Sequence, residues 1–437
     1  MKRWACALVC LLGVACDKTS KVGADAPVRG PSDADAPSTL PVRPTIMQKV
    51  AMPPASETKQ LATSSNTFGF DLYAKVRGTP GNVAMSPASI SAALAMTFGG
   101  ARGETEAQMK KVLHLEGDRD SVMSSWGTLT RALQSPDRKL ELKIANRLFG
   151  EKSTAFDAGF IEKTKTAFGA PLEPLDFKNA FEPARGHINA WVETETRQRI
   201  KELLPPRSLD GLTRMVLVNA IYFLADWAEP FMKEATSDEA FKVSATSDKK
   251  TPMMRRSGQY RVTEADGVKV LELPYKGNDA AMLVILPNKV DGLAEVEASL
   301  TAAKLQAFSA ALAEKNVFVT FPRFEVSPST MALADQLKAL GMPLPFERLK
   351  ADFTGISNPP DPRERLNIDA VFHKAFVKVD EKGTEAAAAT AVSMAAGGGP
   401  PPKPFEFRAD HPFVYAIVDK PTGLVLFLGR VSDPTTK

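Results

Sequence analysis

The sequence predicts an α+β protein, because segments with helical periodicity and segments with strand periodicity both occur along one long domain. The chain has 437 residues, of which 44% are hydrophobic and 24% are charged, and this is enough to bury a large core. Apolar residues recur at helical spacing in Thr63–Lys75. Lys139–Gly150 instead alternates as a strand does, and Met215–Phe231 begins with a nearly all-apolar run, typical of a strand covered on both faces. No internal repeat and no second domain is visible.

A further buried helix is predicted after Ser86-Pro87. Proline suits the first position of a helix, and Ile90, Leu94 and Phe98 then follow at helical spacing. Gly99-Gly100 ends this helix. The other predicted elements, in chain order, are an amphipathic helix at Ile188–Leu204, strands at Val268–Tyr275, Ala281–Pro287 and Val317–Val326, and a helix at Thr330–Gly341.

The first residues predict export and a membrane anchor. Met1–Arg3 is basic and Trp4–Ala15 is apolar but too short to span a membrane, so residues 1–15 are interpreted as a signal peptide. Leu12–Cys16 resembles a bacterial lipobox, which predicts cleavage before Cys16 and its lipidation; plain secretion is the alternative. Residues 16–60 are then a lipidated cysteine and a disordered tether rich in Pro, Ala, Ser, Asp and Lys. We expect a cell-envelope lipoprotein, periplasmic or at the cell surface, or else a secreted protein.

Composition and motifs argue against an enzyme, a metalloprotein and a nucleic-acid-binding protein. A net charge of +4 gives no strong field for nucleic acid, and all three cysteines lie in the first sixteen residues, which leaves the rest without disulfides or thiolate chemistry. The four histidines lack metal-pair spacing, and neither H-E-x-x-H nor G-x-S-x-G occurs. Ser247–Lys250 fits S-x-x-K but lies in a polar, turn-like stretch. We therefore expect no catalytic residue, metal or cofactor, and interpret as solvated surface the basic residues Lys249, Lys250, Arg255 and Arg256.

The segment Val379–Phe407 has the composition of an exposed loop. A charged turn, Asp380–Gly383, precedes a run of small residues from Thr384 to Ala396, and three glycines and three prolines then end any helix. As a strand, this segment would present one face of uncharged side chains: Thr384, Ala386, Ala388, Thr390, Val392, Met394 and Ala396. The pattern is that of a loop able to become a buried strand, and the alternative is an Ala/Gly-rich linker.

Three stretches resemble the serpin family. Val371–Thr390 is similar to the hinge of the serpin reactive-centre loop, His411–Pro434 to the last serpin strands, and Asn82–Leu115 to an early serpin helix region. The resemblance runs from about residue 61 to residue 434, so we assign one serpin domain to residues 61–435. It implies the serpin fold, with three β-sheets surrounded by eight or nine helices and an exposed reactive-centre loop.

The resemblance also implies roles for individual residues. The hinge residues are Gly383, Thr384, Glu385, Ala386, Ala387, Ala388, Ala389 and Thr390. A polar cluster where the central strands must part, called the shutter below, matches Ser86, Ser89, Asn219 and His373. The top of the main sheet, called the breach below, matches Trp227, Arg323 and Glu381, with an Arg323–Glu381 ion pair that steadies the uninserted loop. From the residues alone, His373 is interpreted as a satisfied core histidine.

The function that the resemblance implies is suicide-substrate inhibition of a serine endopeptidase by a monomer. Cleavage of the loop frees the hinge, and the segment from Gly383 onward enters the main sheet with the protease attached. The family spacing places the scissile bond at Gly397–Gly398, with Ala396 or Met394 as alternative recognition residues. These small or apolar residues favour elastase-like or subtilisin-like targets. The competing prediction is a noninhibitory serpin that acts as a cell-surface binding or chaperone module.

Overall fold

Nine α-helices lie in the part of the chain that the structure, a computed structural model, describes: residues 51–169, 172–327, 329–384 and 403–436. They are α1 (Ala55–Val76), α2 (Pro87–Phe98), α3 (Gly103–Val112), α4 (Arg119–Leu133), α5 (Ala158–Phe168), α6 (Phe177–Glu195), α7 (Leu293–Ser299), α8 (Ala302–Ala311) and α9 (Ala334–Ala339). Three short 3₁₀ turns occur at Lys233–Ala235, Leu344–Phe346 and Pro362–Glu364. None of the described helices is long and apolar enough to cross a membrane.

Sixteen strands complete the described fold. They are β1 (Val83–Met85), β2 (Glu141–Glu151), β3 (Glu173–Leu175), β4 (Met215–Asp226), β5 (Ser237–Ser244), β6 (Ser247–Ala265), β7 (Val268–Pro274), β8 (Ala280–Pro287), β9 (Ala313–Pro322), β10 (Phe324–Val326), β11 (Met331–Ala332), β12 (Val371–Val379), β13 (Gly383–Thr384), β14 (Phe405–Arg408), β15 (Phe413–Asp419) and β16 (Leu424–Val431).

The strands form two hydrogen-bonded sheets within the described residues, where the sequence analysis expected three. A nine-stranded sheet has the order β1-β16-β15-β8-β7-β6-β9-β14, with β5 paired to β6. The 19-residue strand β6 pairs with β5 near its start and with β7 at its end, so it joins two groups of strands into one continuous sheet. The overall serpin architecture is otherwise as expected.

The second sheet, with seven strands in the order β10-β12-β4-β2-β3 plus β11 and β13, carries the predicted site. Its central strand β4 is antiparallel to β2 but parallel to β12. Helix α2 packs on one face, where the main core lies between the two sheets, and Phe223 of β4 meets Phe427 of β16 with ring centroids 5.9 Å apart. Helix α6 covers the other face with Phe177, Ile188 and Val192.

Most predicted elements are confirmed, with shifted ends. Helix α1 begins at Ala55, before the predicted start at Thr63, so residues 55–60, which the sequence analysis assigned to the tether, belong to this helix. Helix α2 starts at Pro87 as predicted, because Ser86 Oγ accepts from Ser89 N at 3.1 Å and caps it. The strands predicted from Lys139, Met215, Val268 and Ala281 correspond to β2, β4, β7 and β8.

Three predicted boundaries are wrong for identifiable reasons. The helix expected at Ile188–Leu204 ends at Glu195, because Arg197, Gln198 and Glu202 have φ values of 48°, 63° and 51°, which no right-handed helix contains. The strand expected at Val317–Val326 is broken at Arg323, and its two parts, β9 and β10, belong to different sheets. In the expected Thr330–Gly341 helix, Met331–Ala332 pair with β12 instead, and the helix is confined to α9.

Candidate functional site

The turn that leaves β12 is bound to the end of β4. Trp227 N donates to Lys382 O at 2.6 Å, and Phe231 N donates to Glu381 O at 2.7 Å. The indole Nε1 of Trp227 donates to Asp380 O at 3.0 Å. The predicted breach residue Trp227 therefore holds the base of the loop through both its backbone and its side chain.

The first two hinge residues already belong to the sheet. Gly383 and Thr384, which form β13, pair antiparallel with Asp226 and Ala225 at the end of β4, next to the end of β12. A Cβ on Gly383 would lie 2.1 Å from Ala225 O and 2.6 Å from Asp226 Cα, so only glycine permits this close approach. Gly383, the residue from which the sequence analysis expects the segment to enter the sheet, is therefore already paired with β4 in the uncleaved chain, and so is Thr384.

Thr384 is buried and bonded to a residue that the sequence analysis did not single out. Its side chain is 0% exposed, and its Oγ1 lies 2.8 Å from the hydroxyl of Tyr275, which is also 0% exposed. The Tyr275 ring stacks on Trp227 with centroids 4.6 Å apart and planes 10° apart. Burial raises the pKa of Tyr275, so the phenol stays protonated and neutral.

Glu381 and Arg323 form the ion pair expected at the breach. Arg323 Nε donates to both carboxylate oxygens of Glu381 at 2.8 Å, Arg323 Nη2 donates to Oε1, and Thr236 Oγ1 donates to Oε1 at 2.6 Å. Burial alone would raise the pKa of Glu381, but these hydrogen bonds outweigh it and hold the pKa below its usual value. Arg323 reaches Glu381 because it occupies the break between β9 and β10, where the chain passes from one sheet to the other.

Two shutter residues, Asn219 and His373, form one polar row across three strands together with Asn146, and Ser86 and Ser89 join this row from the start of helix α2. Asn219 of β4 is directly opposite Asn146 of β2 and beside His373 of β12. The His373 Nδ1 lies 2.5 Å from Asn219 Oδ1, and Asn219 Nδ2 donates to Asn146 Oδ1 at 2.6 Å and to Ser89 Oγ at 2.5 Å. The row therefore links the central strands to each other and to helix α2 beneath them.

His373 is neutral in this arrangement, and its tautomer follows from its partners. The backbone N–H of Ser86 donates to His373 Nε2 at 3.0 Å, so Nε2 carries no proton and Nδ1–H donates to Asn219. His373 is 0% exposed, and burial lowers its pKa to about 3. The sequence-based interpretation of a satisfied core histidine is confirmed.

The structure adds Asn146 and Tyr275 to the predicted site. Asn146 had a signal in the sequence, because it follows Leu140, Leu142 and Ile144 at alternate positions and is a polar residue on the apolar face of a strand. Tyr275 had none, since an aromatic residue at the end of an apolar strand is typical of any core. Its role depends on a partner more than a hundred positions away in the chain.

Several predicted site residues lie outside the described residues. They are hinge residues 385–390, the reactive-bond candidates Met394, Ala396, Gly397 and Gly398, and the lipidation candidate Cys16. Among the described residues, no group of His, Cys, Asp and Glu could hold a metal ion.

The basic residues interpreted as surface are found in ion pairs or in solvent. Lys249 Nζ lies 2.5 Å from Asp433 Oδ2, and Arg255 pairs with Glu239, while Lys250 is exposed. Ser247 is exposed at the start of β6, and no general base is bonded to it among the described contacts. The ion pairs and the exposure agree with the interpretation of these basic residues as surface.

A hinge whose first two residues are paired with β4, together with a polar row that joins β4 to β12, defines a protein built to accept a further strand between them. The family model of serpins (serine protease inhibitors) matches residues 63–434, which is most of the chain. The chain belongs to the serpin family.

Curated relatives and solved structures agree with this assignment. The chain is 40% identical over 388 residues to the leukocyte elastase inhibitor of Equus caballus, which covers 86% of this chain and 100% of the relative. It is 37% identical over 410 residues to an uncharacterized serpin-like protein of Thermococcus kodakarensis, covering 93% of each. Human thyroxine-binding globulin in complex with thyroxine superposes with a TM-score of 0.77 at 30% identity, covering 87% of this chain and 100% of that structure.

Proposed function

We propose that this serpin is a suicide-substrate inhibitor of serine endopeptidases and performs no catalysis itself. The observation that carries the proposal is the position of the hinge: Gly383 and Thr384 are paired with β4 just beyond the end of its ladder with β12. A protease that cleaves the loop forms an acyl-enzyme and releases the far end of the inserting strand. The strand then extends the ladder that β13 begins, and the protease is carried with it before deacylation.

The sheet topology supplies the driving force. An inserting strand that continues β13 is antiparallel to β4 and also to β12, because β4 and β12 are parallel to each other. Each backbone hydrogen bond contributes roughly 0.5–1.5 kcal/mol net, so a strand of about a dozen residues gains on the order of 10 kcal/mol even after the parallel ladder is broken. A gain of this size rivals the stability of an ordinary domain, about 5–15 kcal/mol.

The small and apolar residues near the loop tip support an elastase-like or subtilisin-like target. The family spacing indicates Gly397–Gly398 as the scissile bond, and Ala396 and Met394 are the alternatives. The name of the Equus caballus relative, leukocyte elastase inhibitor, favours the elastase-like class. No lysine or arginine lies between Gly383 and Pro402, which argues against trypsin-like targets.

Incubation with elastase tests the proposal directly. We expect an SDS-resistant band at the summed mass with elastase or subtilisin and none with trypsin, and mass spectrometry of the released peptide identifies the cleaved bond. The matched control is Thr384→Arg, which places a charge where the side chain is 0% exposed and should convert the inhibitor into a substrate. Cleavage without a complex, and without a rise in Tm of the cleaved protein, would exclude the inhibitory mechanism.

We also propose export with lipid attachment at Cys16. The support is the basic and apolar start of the chain and the lipobox-like Leu12–Cys16, which precede the family match at residue 63. The anchor would hold a monomeric inhibitor at a membrane surface through the segment that follows. Metabolic labelling with a fatty-acid analogue should label the wild type, and a Cys16→Ala variant that still carries label contradicts the assignment.

A noninhibitory binding module is the second candidate. Three glycines and three prolines at the loop tip are unusual protease recognition residues, and a solved relative, thyroxine-binding globulin, was determined with thyroxine bound. The elastase experiment separates the two candidates, because a noninhibitory serpin is cleaved or ignored without being trapped.

A further inference from the structure

We propose that Tyr275 is a positioning residue that keeps Thr384 seated in the sheet before cleavage. We call the paired position of Gly383 and Thr384 on β4, with the hydrogen bond between Thr384 and Tyr275, the seat of the hinge. The effect of the seat on inhibition rests on the function proposed above, whereas the seat itself is a property of the uncleaved protein. Tyr275 immediately follows β7 of the nine-stranded sheet, and its hydroxyl lies 2.8 Å from Thr384 Oγ1.

The bond matters because both hydroxyls are fully buried. Tyr275 and Thr384 are each 0% exposed, and within the described residues this contact is the one hydrogen bond of the Tyr275 hydroxyl. If the hinge withdrew from β4, the phenol would stay in the core without a partner, and an unpaired buried donor is costly. Burial of Tyr275 therefore disfavours withdrawal of the hinge.

The surroundings fix the hydroxyl in space. The Tyr275 ring stacks on Trp227, and Phe223 contacts it edge-on at 5.0 Å with planes 72° apart. The backbone is fixed as well, because Tyr275 N donates to Ala280 O at 3.0 Å and forms a bridge with Trp227. A ring held from two sides cannot follow Thr384 if the hinge moves, so the bond selects one position of the hinge.

The seat determines how insertion starts. With Gly383 and Thr384 in register on β4, the freed strand extends an existing ladder and needs no new nucleus. Insertion competes with deacylation of the acyl-enzyme, so slower insertion yields cleaved inhibitor and free protease. Loss of the seat should therefore raise the number of inhibitor molecules consumed for each protease trapped, while the first encounter with the protease is unaffected.

Conservative variants isolate the hydroxyl pair. Tyr275→Phe and Thr384→Val each remove one hydroxyl and keep the shape, Thr384→Ser keeps the hydroxyl, and the double variant Tyr275→Phe/Thr384→Val removes both. Tyr415→Phe is the matched control, because Tyr415 is also 0% exposed but donates to Val83 O, at 3.4 Å, and makes no hydrogen bond to the hinge among the described residues. Each variant is first checked for native folding by its unfolding midpoint.

Hydrogen exchange of the uncleaved protein measures how often the hinge leaves its seat, and it needs no protease. In a peptide covering residues 380–384, we expect each single variant to exchange about tenfold faster than wild type, which is about 1.4 kcal/mol. Thr384→Ser and Tyr415→Phe should match wild type. The double variant should return toward wild type, because no buried polar group is then left unpaired. With elastase, the consumption of inhibitor for each trapped protease should follow the same order.

Two results would overturn the proposal: unchanged exchange in Tyr275→Phe, or purely additive effects in the double variant. A changed exchange rate with no trapped elastase in any variant would leave the seat in place and refute the inhibitory function. Normal trapping of elastase with unchanged exchange in Tyr275→Phe would refute the seat and support the inhibitory function.

Discussion

Acid should weaken the seven-stranded sheet through His373, and replacing this residue with glutamine should remove that effect. The Nε2 atom accepts a hydrogen bond from Ser86 N–H, so a proton on Nε2 would abolish the acceptor and set two donors against each other. The same proton would place a charge at a 0% exposed position between β12 and α2. Glutamine keeps a carbonyl acceptor and an amide donor but does not titrate.

The size of the effect follows from the depressed pKa. The folded protein keeps His373 neutral down to a pKa of about 3, whereas an unfolded chain takes up the proton near pH 6.5. Between these values the unfolded state binds more protons, so the free energy of unfolding falls as the pH falls. The stabilisation is complete above pH 6.5 and decreases below it by up to 1.36 kcal/mol for each pH unit, or roughly 3 kcal/mol by pH 4.

Urea unfolding of the uncleaved protein from pH 7 to pH 4 measures this loss. Wild type should lose roughly 3 kcal/mol more than His373→Gln over the range, and the difference removes the contribution of carboxylates common to both. His114→Gln is the control for the loss of a histidine at the surface, where the side chain is 40% exposed and Nε2 lies 2.8 Å from Asp71 Oδ2. Parallel curves for wild type and His373→Gln would refute the reasoning.

Three further predictions concern the breach, the hinge and the polar row at the shutter. Arg323→Ala leaves the buried Glu381 carboxylate without its main partner and should accelerate spontaneous polymerisation roughly 5–30-fold. The expected acceleration is kept this small because the Arg323 side chain is 41% exposed and solvent screens the ion pair; an unchanged rate contradicts a restraining role. Gly383→Ala brings a Cβ to 2.1 Å from Ala225 O, so exchange of the hinge amides should rise and the free energy of unfolding should fall by about 1–3 kcal/mol; a wild-type profile argues against the observed pairing. Asn146→Ala should destabilise the protein by about 1–2 kcal/mol in urea, whereas Asn146→Asp, which keeps the acceptor but buries a carboxylate at a 7% exposed position, should cost more at neutral pH; a smaller loss in the aspartate variant contradicts the burial argument.

Much of the fold was accessible from periodicity, because long apolar strands such as β4 and capped helices such as α2 carry their signal locally. The errors occurred where tertiary contacts override that signal. Ile200, Leu203 and Leu204 have helical spacing and are all 0% exposed, but they reach the core from a series of turns. The apolar run through Arg323 was predicted as one strand because apolar and polar residues keep alternating where the chain passes from one sheet to the other.

The candidate site was predicted by family resemblance where residues match in type, as for the Arg323–Glu381 pair and for Asn219 beside His373. What could not be predicted is the degree of insertion. Whether Thr384 lies in solvent or in the sheet depends on the close approach of Gly383 to Ala225 O and on the hydrogen bond between Thr384 and the Tyr275 hydroxyl. The composition of the hinge shows neither contact.

The two ends of the reactive segment are fastened to different sheets, since β13 pairs with β4 and β14 pairs with β9. Covalent continuity between residues 384 and 405 therefore restrains the inserting strand at its far end, in addition to the restraint by the Arg323–Glu381 pair at the breach. A circularly permuted variant, in which a linker joins the first and last residues and the new chain ends follow residue 398, would fold without that restraint. We expect this variant to fold directly to the heat-resistant form in which the segment is inserted in the sheet, and to inhibit no protease.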